Sequence, residues 1–313
     1  MRATHRRARA PAAPSPAPPG ILHDGPVPTQ RRFGRSRLPG ALATLAAVAV
    51  GLSACSAAAP VRGATTLTTD AQDHGTTVID DGATGSVLIV PRHPIGALAV
   101  FVHGSGSTRY SVLRSRHDVV VARDLLEHGY LVLAADAGGR AWGDPASVAD
   151  YERLIAATVR ERAVRDIMLV AESMGGLAAM QLAARVPDVR AVAAWYPVCD
   201  LRTMQQKPQY AAAIAKAWAT GDRRVVSPVA VPAVPLTIWA SPGDTVVSAA
   251  RNAAVCAAEG RRAGAPVTYV RTTGDHGDPS NVRPTEVLAF FDAHRTTGPT
   301  RPAVWRSTPE AGS

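Results

Sequence analysis

The stretch Ile167-Met168-Leu169-Val170-Ala171-Glu172-Ser173-Met174-Gly175-Gly176 carries an apolar strand into a small-x-Ser-x-Gly turn and on into a helix. Such a turn holds one serine on a sharp corner, with its hydroxyl raised out of the sheet. Strand and helix almost touch there, so the positions two before and two after the serine must be small. Ala171 and Gly175 meet that demand. A lone reactive serine in turn requires a base, an orienting acid and an oxyanion site elsewhere in the chain.

The remainder of the chain alternates in the same way after residue 75. Strands are expected at 86–90, 97–103, 130–135, 167–171, 189–196, 236–240 and 267–272. Helices are expected at 119–127, 146–165, 175–185, 248–263 and 284–294. In 146–165 the apolar Val148, Tyr151, Leu154, Ile155 and Val159 recur at three- and four-residue spacing, the period of a helix face. Alternation of this kind predicts an α/β fold: one mostly parallel sheet with helices on both faces and ligands bound beyond the carboxyl ends of the strands. The domain is expected over 75–296, preceded by a linker at 55–74. Residues 199–234 form a long connection containing an amphipathic segment from 210 to 220, which reads as a small lid plus a crossover. Residues 297–313, rich in Thr, Pro, Gly and Arg, read as a loose tail.

The formal charge of +9 is concentrated at one end. Residues 1–54 hold eight arginines and one acid, Asp24, a net of +7, so residues 55–313 carry +9 − 7 = +2. A nearly balanced domain gives no electrostatic footprint for nucleic acid. The basic stretch Arg31-Arg32-Phe33-Gly34-Arg35-Ser36-Arg37 precedes an apolar run from Ala41 to Leu52, too short to span a bilayer and of the right length for an export signal. Leu52-Ser53-Ala54-Cys55 then resembles a bacterial lipoprotein box, in which Cys55 would be lipidated and anchor the mature chain to the cell membrane. Cleavage at Ala57-Ala58-Ala59, giving a freely secreted protein, is the other reading. Of the three cysteines, Cys199 and Cys256 remain, either as a disulfide in an oxidising exterior or as small buried apolar residues.

Among nine histidines, His276 is placed for a base. It follows the last expected strand in Thr273-Gly274-Asp275-His276-Gly277-Asp278-Pro279, a loop free to fold over the strand ends. The acid is read as Asp244, which follows a Pro242-Gly243 turn at the end of strand 236–240, where it also has the position to cap the next helix. Asp200, after the preceding strand, is its rival. Two backbone donors for an oxyanion are expected at Met174, the residue after the serine, and at Ser105 in the loop His103-Gly104-Ser105-Gly106. His103 reads as a structural hydrogen bonder. Trp142 and Met174 are candidates either for an apolar acyl pocket or for the core. No His, Cys and Asp cluster has ligand spacing, so neither a metal nor a cofactor is expected.

The turn at Ser173, the His103-Gly104 loop, the Pro242-Gly243-Asp244 turn and the Gly274-Asp275-His276-Gly277 loop together resemble the α/β-hydrolase family in order and spacing. The small size is similar to the dienelactone-hydrolase and esterase-like members. Two departures stand out: Ala171 where glycine is commonest, and Ser173 where dienelactone hydrolases carry cysteine. Serine at that position also argues against epoxide hydrolases and haloalkane dehalogenases. The resemblance implies a serine hydrolase cleaving a small-molecule carboxylic ester or related acyl bond through an acyl-enzyme. A serine peptidase of the same fold and a binding lipoprotein with a dead site are the alternatives.

Overall fold

In the computed structural model, residues 64–67, 76–219 and 229–296 are described. The signal, Cys55, most of the 55–74 stretch, part of the 199–234 connection and the 297–313 segment lie outside them. The strands are β1 (Ala64–Leu67), β2 (Thr77–Asp81), β3 (Ser86–Val90), β4 (Ala97–Val102), β5 (Leu131–Ala135), β6 (Asp166–Glu172), β7 (Val189–Trp195), β8 (Leu236–Ala240) and β9 (Val267–Arg271). The helices are α1 (Ser111–Arg114), α2 (Asp118–Glu127), α3 (Pro145–Arg162), α4 (Gly175–Arg185), α5 (Leu201–Gln205), α6 (Pro208–Ala217), α7 (Ala253–Arg262) and α8 (Pro284–His294).

The strands form one sheet in the order β1-β2-β3-β5-β4-β6-β7-β8-β9. From β5 to β9 all neighbours are parallel, while β1, β2 and β3 add an antiparallel edge. The α/β architecture with a mostly parallel sheet is thus present. The chain places β5 on one side of β4 and β6 on the other, so the strand order reverses at β4. A crevice opens above the carboxyl ends at such a reversal.

The apolar runs are continuous because the central strands are covered twice. Along β4, Leu98, Val100 and Val102 join the core under α3, α4 and α7, while Ala97, Ala99 and Phe101 join the core under α2 and α8. This period of two with no polar face identifies a strand buried on both sides. The observed bounds of β3, β8, α4 and α8 coincide with the expected ones.

Two differences have clear causes. The sheet begins with β1 inside the stretch read as a linker, where Ala64-Thr65-Thr66-Leu67 pairs antiparallel with β2; one strand at an edge has too few residues to show a period. The helix expected from 248 begins only at Ala253. Asn252 is drawn out of it: its Oδ1 accepts from the Cys199 and Asp200 N–H groups, each at 3.0 Å. Cys199 and Cys256 form a disulfide with Cα atoms 5.7 Å apart, tying the segment after β7 to α7. No helix among the described residues is long and apolar enough to cross a membrane.

Candidate active site

Ser173 follows the last residue of β6 with φ 49°, a left-handed conformation that costs a non-glycine residue on the order of 1–3 kcal/mol. The close packing inferred from the turn pattern is visible at Gly175, where a Cβ would lie 2.0 Å from the Val102 carbonyl oxygen. The Ser173 backbone is held from β7 and beyond: its N–H donates to the Trp195 carbonyl (3.2 Å) and its carbonyl accepts from the Val198 N–H (2.7 Å). The corner is strained and over-determined, which is how a hydroxyl is kept in one place.

The structure brings the three candidate side chains together at one rim of the sheet. His276 Nε2 lies 3.0 Å from Ser173 Oγ, and His276 Nδ1 lies 2.8 Å from Asp244 Oδ2. The Asp244 side chain is 1% exposed and that of His276 19%. The other carboxylate oxygen of Asp244 accepts the Val246 and Val247 N–H groups at 2.8 and 2.7 Å. Asp244 therefore holds its own turn and the imidazole at once, in place of the helix cap expected from sequence. Asp200, the rival, instead caps α5 through the Arg202 N–H (3.0 Å) and pairs with the Arg202 guanidinium (2.8 Å).

The loop bearing His276 is anchored by residues whose roles the sequence did not disclose. Asp275 Oδ1 accepts from the Thr245 and His276 N–H groups, both at 2.7 Å, and the Thr245 bond is the main cause of its lowered carboxyl pKa. Asn281 Nδ2 donates to the Asp275 carbonyl (3.1 Å). Ser241 Oγ donates to the Gly274 carbonyl (2.7 Å), joining the loop of the acid to that of the base.

The two oxyanion candidates are backbone N–H groups at the ends of β6 and β4. Neither the Met174 nor the Ser105 N–H has an acceptor among the described residues, and Met174 stands at the start of α4, whose dipole favours negative charge. The Gly104 carbonyl is held by the Ser107 N–H (3.2 Å) and by His103 Nδ1 (2.8 Å). Because the Gly104–Ser105 peptide is trans, fixing its carbonyl on one side turns the Ser105 N–H to the other. The His103 ring lies between two carbonyls, its Nε2 3.1 Å from that of Asp136, and since a neutral imidazole carries one N–H it donates to one of them at a time.

Of the two readings of Trp142 and Met174, pocket or core, their burial fits the core. The space they line is about 10 Å³, room for one water. Trp142 is 1% exposed, packs 5.2 Å from the Tyr210 ring of α6, and accepts a bond from Trp218 Nε1 on its carbonyl (3.3 Å). It is a core residue carrying the 199–234 connection. The roomier space lies beside it, a cleft of about 380 Å³ between Gly138–Ala141 and α6, with Arg140 and Lys216 on its walls. Among the described residues no group of His, Cys, Asp or Glu side chains stands in a metal-binding array.

The model of the family described as serine aminopeptidase S33 matches residues 93–276, more than half of the chain. No curated protein matches the sequence. Among solved structures, an esterase of Pyrococcus furiosus shares 16% identity at a TM-score of 0.50, over 74% of this chain and 91% of that one. A truncated carbohydrate esterase from gut microbiota shares 15% at 0.52, over 66% and 90%. The acylaminoacyl peptidase of Pyrococcus horikoshii shares 13% at 0.53, over 76% of this chain but only 43% of its own length. At these identities the structures establish the fold, and the family model establishes the lineage. This chain belongs to the serine aminopeptidase S33 family of α/β-hydrolase-fold serine hydrolases.

Proposed function

We propose that this serine hydrolase cleaves a small-molecule carboxylic ester or related acyl bond through an acyl-enzyme on Ser173. The observation that carries the proposal is the unbroken relay from Asp244 Oδ2 to His276 Nδ1 (2.8 Å) and from His276 Nε2 to Ser173 Oγ (3.0 Å). With Nδ1–H donated to the carboxylate, Nε2 carries the lone pair and can take the hydroxyl proton as Oγ attacks the carbonyl carbon. Asp244 then faces the imidazolium that forms. The tetrahedral oxyanion is stabilised by the Met174 and Ser105 N–H groups, each such donor being worth about 10²–10³ in rate. His276 returns the proton to the departing alcohol, the acyl-enzyme forms, and a water activated on the same nitrogen releases the acid.

A fluorophosphonate probe and p-nitrophenyl esters of increasing chain length test this reading. Wild type should label and turn over esters, and Ser173→Ala should do neither; turnover surviving in that variant would refute it. The description of the matched family favours a second reading, peptide-bond cleavage, which uses the same residues on an amide. Aminoacyl p-nitroanilides separate the two: a kcat/KM above that for the esters would favour the peptidase.

We also propose that the chain is exported and tethered to the membrane through Cys55, on the strength of the basic, apolar and Leu-Ser-Ala-Cys order. Labelled palmitate should be incorporated by the wild type and not by Cys55→Ser.

A further inference from the structure

The residue immediately before the candidate nucleophile has no role in the steps above, yet its carboxylate reaches both neighbouring strands. β6 lies between β4 and β7. Glu172 Oε2 accepts the Gly104 N–H just beyond β4 (3.3 Å), and Glu172 Oε1 accepts the Tyr196 hydroxyl just beyond β7 (3.1 Å). Each partner leads to the reaction centre. Gly104 precedes Ser105, and a Cβ on Gly104 would sit 3.0 Å from Glu172 Oε2, so only glycine brings the loop this close without displacing the carboxylate. The Tyr196 ring lies against the His276 ring with centroids 4.5 Å apart, and its backbone is held at φ 39°. Burial first, then the Glu172 charge, raise the Tyr196 hydroxyl above its ordinary pKa, so it stays protonated and donates.

We propose that Glu172 is a positioning residue for the hydrolytic reaction, one carboxylate that sets both the loop presenting the Ser105 N–H and the tyrosine backing the His276 imidazole. The proposal rests on the reading of Ser173 as the nucleophile. Glutamine shows why a carboxylate is needed. Both partners are donors, and an amide can accept from only one of them through its oxygen while turning its own N–H groups on the other. Either the Gly104 loop or Tyr196 must then move. Misplacement of about 1 Å in such a site costs on the order of 10²-fold in rate. The effect belongs to kcat, because neither partner is required for the substrate to enter.

The experiment measures ester hydrolysis by Glu172→Gln, Glu172→Ala and Tyr196→Phe, with the active sites of each counted by fluorophosphonate titration, so that kcat refers to folded, reactive protein. Glu172→Gln should lose about 10- to 100-fold in kcat per titrated site while KM stays within about twofold. Tyr196→Phe, which keeps the ring on the imidazole and removes only the hydroxyl, should lose less and in the same direction. If the glutamate variants do not fold, Tyr196→Phe decides: wild-type kcat there overturns the proposal. Wild-type kcat per site in Glu172→Gln overturns it directly, as does a loss confined to KM. Failure of the underlying reading is distinguishable, because it appears as ester turnover retained in Ser173→Ala.

Discussion

Replacing Asp244 by asparagine isolates the orienting role of the acid, and the surrounding bonds dictate how the amide must sit. Asp244 Oδ1 accepts from two backbone donors, Val246 N–H at 2.8 Å and Val247 N–H at 2.7 Å. An amide nitrogen cannot replace that oxygen, so asparagine must keep its carbonyl on the turn and aim its NH₂ at His276 Nδ1. That nitrogen must then become the acceptor, which moves the ring proton to Nε2, the atom 3.0 Å from Ser173 Oγ. The tautomer that results cannot take the serine proton. The same change in a serine protease lowers kcat about 10⁴-fold, equivalent to about 5 kcal/mol of lost transition-state stabilisation. We expect a loss of that order in kcat for Asp244→Asn on a p-nitrophenyl ester, with a urea unfolding midpoint close to wild type because the turn keeps its bonds. Asp200→Asn, which weakens the α5 cap and the pairing with Arg202, should retain activity within a few-fold. Activity of Asp244→Asn within tenfold of wild type would refute the assignment of this carboxylate.

The remaining expectations concern the scaffold. The Cys199–Cys256 bridge closes a loop of 57 residues, so loss of it through Cys199→Ser with Cys256→Ser should cost about 4 kcal/mol by chain entropy, read as a lower urea midpoint. Gly175→Ala would drive a methyl to within 2.0 Å of the Val102 carbonyl, on a strand buried on both faces. It should cost about 3 kcal/mol or more, seen as a collapse of the denaturation midpoint or of soluble yield. Asp118, at the start of α2, is raised from an ordinary 3.8 to about 8, first by burial and then by Glu172. The native state therefore holds its proton more tightly, so its contribution to stability is complete below about pH 4 and is lost as pH rises to about 8. Asp118→Asn removes that slope. Its stability relative to wild type should increase between pH 5 and 8.5, and urea midpoints at those two values will show whether it does.

Ser173, Asp244 and His276 were legible before any coordinates, because each announces itself locally: a serine between small residues at a strand-to-helix corner, an aspartate after Pro-Gly, a histidine between glycines. Their alternating strands and helices already demanded that all three gather at one rim of the sheet. What stayed hidden depends on which distant segments become neighbours. The pairing of Cys199 with Cys256, the burial of Trp142 beneath Tyr210 and the retreat of α7 to Ala253 are all of this kind. So is the bridge from Glu172 to Gly104 and Tyr196, residues 68 and 24 positions away along the chain. Hydrophobic period and turn chemistry are properties of a few consecutive residues and can be read from their order. A hydrogen bond across three strands exists only once the sheet has put β6 between β4 and β7.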